Sequence, residues 1–181
     1  MSVKSSRRRY RINYWLFFPV LGALLLAAIP PQAEAGPKQL PLPTTLGEMR
    51  LDHSLQGQEA LKDIFRLHGK TFDLKDGYVG HYSNKAAKAM VWVSESKNQD
   101  QSRQLLQMMA AEIRRGRGPY SNFQEFDVNG KVVYSVDGQG QQHYFYGSGK
   151  RNVWLAVDPP AAQKALHELL MKIKPFEVTK P

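Results

Sequence analysis

Downstream of residue 46 the chain alternates between helical and strand-like spacing of its apolar residues. Gln58 to Leu67 sets Leu61, Ile64, Phe65 and His68 on one helical face, and Gly69 ends it. Residues 70–75 and 78–83 alternate as short strands around Asp76-Gly77, a dipeptide that accepts the positive φ angles of a tight hairpin. A third strand covers Ala89–Ser94, centred on Met90-Val91-Trp92-Val93. Gln99–Arg115 returns to helical spacing, with Leu105, Leu106, Met109 and Ile113 as the buried stripe and Gly116 as the stop. Strands follow at 123–128, 131–136, 142–147 and 151–157. Asp158 is placed to cap a last helix, and Pro159 and Pro160 suit its first turn. Ala162, Leu166, Leu169, Leu170 and Ile173 form the apolar stripe of that helix before Pro175.

The two halves of this pattern match each other. Gly69-Lys70, Asp76-Gly77, His81-Tyr82 and Val91-Trp92 recur in order as Gly130-Lys131, Asp137-Gly138, His143-Tyr144 and Val153-Trp154. The apolar positions Leu106, Met109 and Ile113 then correspond to Leu166, Leu169 and Ile173. Nearly equal spacing of ordered pairs is the mark of an internal repeat. The expected fold is therefore α+β: two duplicated β-β-β-α units, about 69–116 and 130–174, forming an antiparallel sheet of about six strands with helices on one face.

The residues before this domain change the picture of location. Of the formal net charge of +9, residues 1–35 hold +4, from Lys4, Arg7, Arg8, Arg9 and Arg11 against Glu34. An uncharged run from Ile12 to Ile29 and a small-x-small end, Ala33-Glu34-Ala35, complete the layout of an export signal. If retained, the run reaches about 27 Å as a helix and would anchor the chain in the membrane. In either case the positive flank stays inside and the rest is exported. Residues 36–45 read as a Pro-rich spacer, 46–176 as one exported domain and 177–181 as a tail. The absence of cysteine excludes disulfides, thiolate metal sites, thiol nucleophiles and a lipid on cysteine.

Candidate chemistry is sparse. His81 and His143 hold equivalent repeat positions, and a pseudo-dyad that brought them together would begin a metal or haem site. Neither an HExxH helix nor a carboxylate cluster supplies further ligands. The aromatic residues Tyr82, Trp92, Tyr134, Tyr144, Tyr146 and Trp154 are candidates to line a pocket or a sugar-stacking surface. Arg114, Arg115 and Arg117 form a basic helix end suited to anionic lipid head groups or acidic polymers, while export argues against nucleic acid. Gly147-Ser148-Gly149-Lys150 lacks the spacing of a phosphate loop, and no serine lies in G-x-S-x-G or S-x-x-K. No cofactor is expected. The sequence thus points to an exported, envelope-associated binding or interaction module without catalytic activity, at the outer side of the inner membrane, with an envelope protein or small ligand as partner. The alternatives are a metal- or haem-binding redox protein using His81 and His143, and an envelope hydrolase.

Overall fold

The computed structural model describes residues 41–173. The expected export signal, residues 36–40 of the spacer and the tail lie outside the described residues. Eight strands form one antiparallel sheet: β1 (Thr45–Leu46), β2 (Met49–Gln56), β3 (Asp76–Ser83), β4 (Lys88–Glu95), β5 (Ser121–Val128), β6 (Lys131–Gly138), β7 (Gln141–Ser148) and β8 (Arg151–Val157). Their order across the sheet is β1-β2-β3-β4-β8-β7-β6-β5. Three helices join them, α1 (Gln58–His68), α2 (Gln99–Arg114) and α3 (Ala162–Lys172), the last preceded by a 3-10 turn at Pro159–Ala161. No helix among the described residues is long and apolar enough to cross a membrane.

The class is α+β, but the helices lie on both faces. Successive strand residues point to opposite sides. Tyr78, Val91, Val93, Tyr144, Tyr146, Val153 and Leu155 join Ala165, Leu166 and Leu169 of α3 in one cluster. Val79, Met90 and Trp92 pack with Ala60 and Ile64 of α1, and Val136, Phe145 and Trp154 with Leu106, Met109 and Ala110 of α2. A sheet covered on both sides needs strands that are apolar at consecutive positions. His143 to Tyr146 on β7 are accordingly all buried.

The strand count exceeds the expected six for three reasons, the first being β5, which lies outside both expected repeat units at one edge of the sheet. β2 is an additional strand whose alternation is broken by a bulge: Leu51 pairs with Tyr82, yet His53 pairs with His81, leaving Asp52 as the extra residue. β1 adds a short edge. Conversely, residues 70–75 form no strand. Leu74 packs into the α1 cluster, and Asp76-Gly77 opens β3 rather than turning a hairpin. Gly77 serves close approach, since a Cβ there would lie 3.1 Å from Ile64 Cδ1 and from Leu61 Cδ2. Packed structure also begins before Leu46. Leu42 is buried, and the Pro43 carbonyl accepts a 2.9 Å hydrogen bond from the Tyr82 hydroxyl.

The halves match less closely in space than in sequence. Trp92 and Trp154 are direct neighbours across the β4–β8 pair. However, His81 pairs with Met90, nine residues on, whereas His143 pairs with Ala156, thirteen on. The helices after β4 and β8 also depart to opposite faces, and only the second half is β-β-β-α. Asn98 caps α2, its side chain accepting from Gln101 N–H at 2.8 Å. Asp158 does not cap with its side chain; it accepts from Lys88 N–H at 2.8 Å and Gln141 Nε2 at 2.9 Å, tying β4 and β7 to the α3 entry.

Candidate functional site

A polar groove opens on the α3 face where β5, β6 and β7 end beside the start of α3. Period-two alternation sends Gln124 and Phe126 of β5, Ser135 and Asp137 of β6, and Gln142 and Tyr144 of β7 to that face. Their register is Gln124 opposite Ser135, Ser135 opposite Tyr144, and Asp137 opposite Gln142. Asn122 and Gln163 close the two sides around a volume of about 200 Å³. Asn122 takes a left-handed φ of 53° at an irregularity in β5, and its amide donates to Asp137 Oδ2 at 2.6 Å. Gln142 Nε2 donates to the Val136 carbonyl at 3.2 Å, and Gln163 Nε2 approaches the Tyr144 hydroxyl at 3.4 Å.

The lining contains a single carboxylate, four side-chain amides and two hydroxyls. Side-chain amides and hydroxyls both donate and accept, so the groove can match a ligand that does both. Burial, and secondarily the Asp137 charge, raise the Tyr144 phenol above its ordinary range. It therefore keeps its proton and stays a donor. The edge of one ring faces the other between Phe126 and Tyr144, with centroids 6.4 Å apart, giving the groove an aromatic flank.

The chain matches no known protein-family model, no curated protein and no solved structure.

The aromatic residues singled out from sequence do not converge. Tyr82, Tyr144 and Tyr146 lie on the α3 face, and Trp92, Tyr134 and Trp154 on the other. Only Tyr144 reaches the groove. Tyr82 and Tyr146 are core residues. Trp154, Phe145 and Tyr134 stack in a row across β8, β7 and β6, with centroid separations of 4.8 and 5.0 Å. Trp92 stands beside Trp154 and donates to Asp63 Oδ2 of α1 at 2.8 Å. The ladder is thus the floor under α1 and α2.

His81 and His143 share a face but not a site. β4 and β8 lie between their strands, three steps of about 4.8 Å, or about 14 Å in all. A single metal ion cannot bridge that span at bonding distance. His143 is buried and engaged at both nitrogens: Trp154 Nε1 donates to Nδ1 at 3.1 Å, which leaves Nε2–H to donate to the Gly138 carbonyl at 3.0 Å. Burial lowers its pKa against the weaker opposing pulls of Gly138 and Asp137, so the neutral ring is the stable form. Tyr120 shields it edge-on at 5.2 Å.

The arginine cluster is largely answered by its own neighbourhood. Arg114 reaches Glu125 at 2.7 Å and lies 4.9 Å over the Phe123 ring. Arg115 and Arg117 share Glu112, at 2.8 and 3.1 Å. Three guanidinium groups against two carboxylates leave a small local excess, and all three remain exposed. Among the described residues, no group of three or more His, Asp or Glu side chains is placed to hold a metal ion.

Proposed function

We propose that the chain is an exported binding module whose ligand is a small polyhydroxylated molecule of monosaccharide size, held in the groove between β5, β6, β7 and the start of α3. The observation that carries this reading is the inward direction of Gln124, Ser135, Asp137 and Gln142 on three successive strands. Ser135 is buried, Asp137 and Gln142 are half-buried and Gln124 is exposed, so the four polar side chains grade from the core out to solvent beside the apolar Val133, Tyr144 and Tyr146. Hydroxyls that both donate and accept suit planar amides and a carboxylate. The half-buried Phe126 ring supplies an apolar flank for the flat face of a sugar, and the Tyr144 hydroxyl a polar contact.

Export rests on the basic, apolar and small-residue order of residues 1–35. It places the domain at the outer side of the cytoplasmic membrane, anchored if the N-terminal segment is retained. Determination of the mature N-terminus by mass spectrometry tests this: a start near Gly36 supports cleavage, and an intact Met1 in the membrane fraction supports anchoring. Protein recovered only from the cytoplasm contradicts export. For the groove, calorimetric titration of the full-length protein with glucose and N-acetylglucosamine is the direct test. Saturable heat lost in Asp137→Ala and Gln142→Ala supports the site. Heat that persists in both variants places the ligand elsewhere, and no heat with either sugar contradicts the ligand class.

A further inference from the structure

His53, absent from the sequence-derived candidates, stands beside His81 with ring centroids 5.4 Å apart. The β2 bulge puts it there. Leu51 faces α3 with Tyr82, and continued alternation would send residue 53 to that same side. The extra residue Asp52 re-aims His53 to the face of α1, opposite His81. Met90 is the next neighbour in this row, paired with His81 from the other side. Directly opposed residues in an antiparallel pair have Cβ atoms about 4.5–5.5 Å apart on one face. The unbranched Met90 side chain has three rotatable bonds with which to bring its sulfur over the row.

We infer that His53, His81 and Met90 form a binding site for a soft monovalent metal ion of the Cu(I) class. The ring separation fits. A metal held at about 2.0–2.1 Å by a ring nitrogen lies about 3.2 Å from that ring's centroid, so two rings at the roughly 109–120° of tetrahedral or trigonal coordination have centroids about 5.2–5.5 Å apart. No hydrogen bond occupies either ring among the described residues, in contrast to His143. His53 is exposed and His81 half-buried, so an ion has access from solvent. Two neutral imidazoles and a thioether bring no negative charge to balance a dication, and thioether sulfur selects Cu(I) over harder ions.

The test is an anaerobic Cu(I) titration of the full-length protein against the chromophoric chelator bicinchoninate. The expected result is one tightly bound equivalent. His53→Ala, at an exposed position that leaves the core intact, should weaken binding by more than about 100-fold, the upper range for losing a mere outer-shell partner. Met90→Leu, a volume-conserving exchange, should weaken Cu(I) binding in the same direction. His167→Ala, on the exposed side of α3, should leave it unchanged. Circular dichroism of each variant reports that the fold is kept. Absence of a stoichiometric equivalent, or binding unaltered in His53→Ala, overturns the site. Unaltered affinity in Met90→Leu removes the thioether and with it the assignment to a soft ion.

Discussion

On one face of the sheet a single helix, α3, packs on a cluster that extends from Leu46 at one edge to Phe126 and Val128 at the other. On the opposite face α1 and α2 divide the sheet between two smaller clusters joined by the Trp92–Trp154 pair. An 11-residue helix is about 16 Å long, whereas eight strands laid flat span about 34 Å. One short helix therefore cannot cover its face with apolar contact alone. Beside the start of α3, the inward positions change from Val and Leu to Gln, Ser and Asp, and the groove results. The two-helix face meets a different shortage: its bulge delivers His53 beside His81 and Met90, at positions that stay exposed or half-buried.

If α3 alone organises its face, removing apolar volume from it should have the largest effect. Leu169→Ala, at a fully buried position, is expected to cost about 2–5 kcal/mol by chemical denaturation. The exposed Met108→Ala on α2 should change stability by less than about 0.5 kcal/mol. Equal losses in the two variants would break the contrast. Gly77→Ala probes the other face, because its Cβ would crowd Leu61 and Ile64 of α1. A loss of about 1–3 kcal/mol is expected for such overpacking. Thermal unfolding checks it, and an unchanged midpoint would mean that α1 yields freely.

Acid should act first on the two-helix face. The pKa of His143 is lower in the folded protein than its ordinary 6.5, so the unfolded chain takes up the proton first. Its contribution is whole above pH 6.5 and is lost as pH falls through the lower, folded value. The Glu95 carboxyl answers in a later window. Burial raises its pKa but is outweighed by hydrogen bonds from Lys75 and Arg151, so the net value lies below 4.5 and its contribution fades only as pH falls under that. Denaturation midpoints measured from pH 7 to 5 should decline in the wild type and decline less in His143→Gln. Parallel declines would remove His143 as the source. The smallest effect is expected on the α3 face, at Tyr146, whose buried hydroxyl has no hydrogen-bond partner among the described residues. Tyr146→Phe removes that group and should leave the melting temperature unchanged or slightly higher. A clear drop would reveal a partner for the hydroxyl.

Much of the fold was legible because its strands and helices keep clean periods. β4, β6, β7 and β8 lie close to their expected positions, as do all three helices. β2 was missed because the bulge at Asp52 interrupts alternation, and that same interruption hid His53. Asp76-Gly77 read as a turn because the dipeptide permits one, although Gly77 is required for the approach of α1. The aromatic candidates were grouped by residue type, yet alternate residues of a strand part to opposite faces, as Tyr144 and Phe145 do. The groove residues Gln124, Asp137 and Gln142 were not among the candidates, because none belongs to a catalytic or ligand motif. The signal that could have found them is their two-residue spacing from inward Phe126, Ser135 and Tyr144 on three neighbouring strands.

The most direct test of this division between faces is a two-dimensional amide NMR map of the full-length protein titrated with N-acetylglucosamine. The expected shifts fall on Gln124, Ser135, Asp137, Gln142, Tyr144 and Gln163, with His53, His81 and the Trp92–Trp154 pair undisturbed. Shifts centred instead on Trp92, Tyr134 and Trp154 would place sugar on the aromatic ladder and contradict the groove as the binding site.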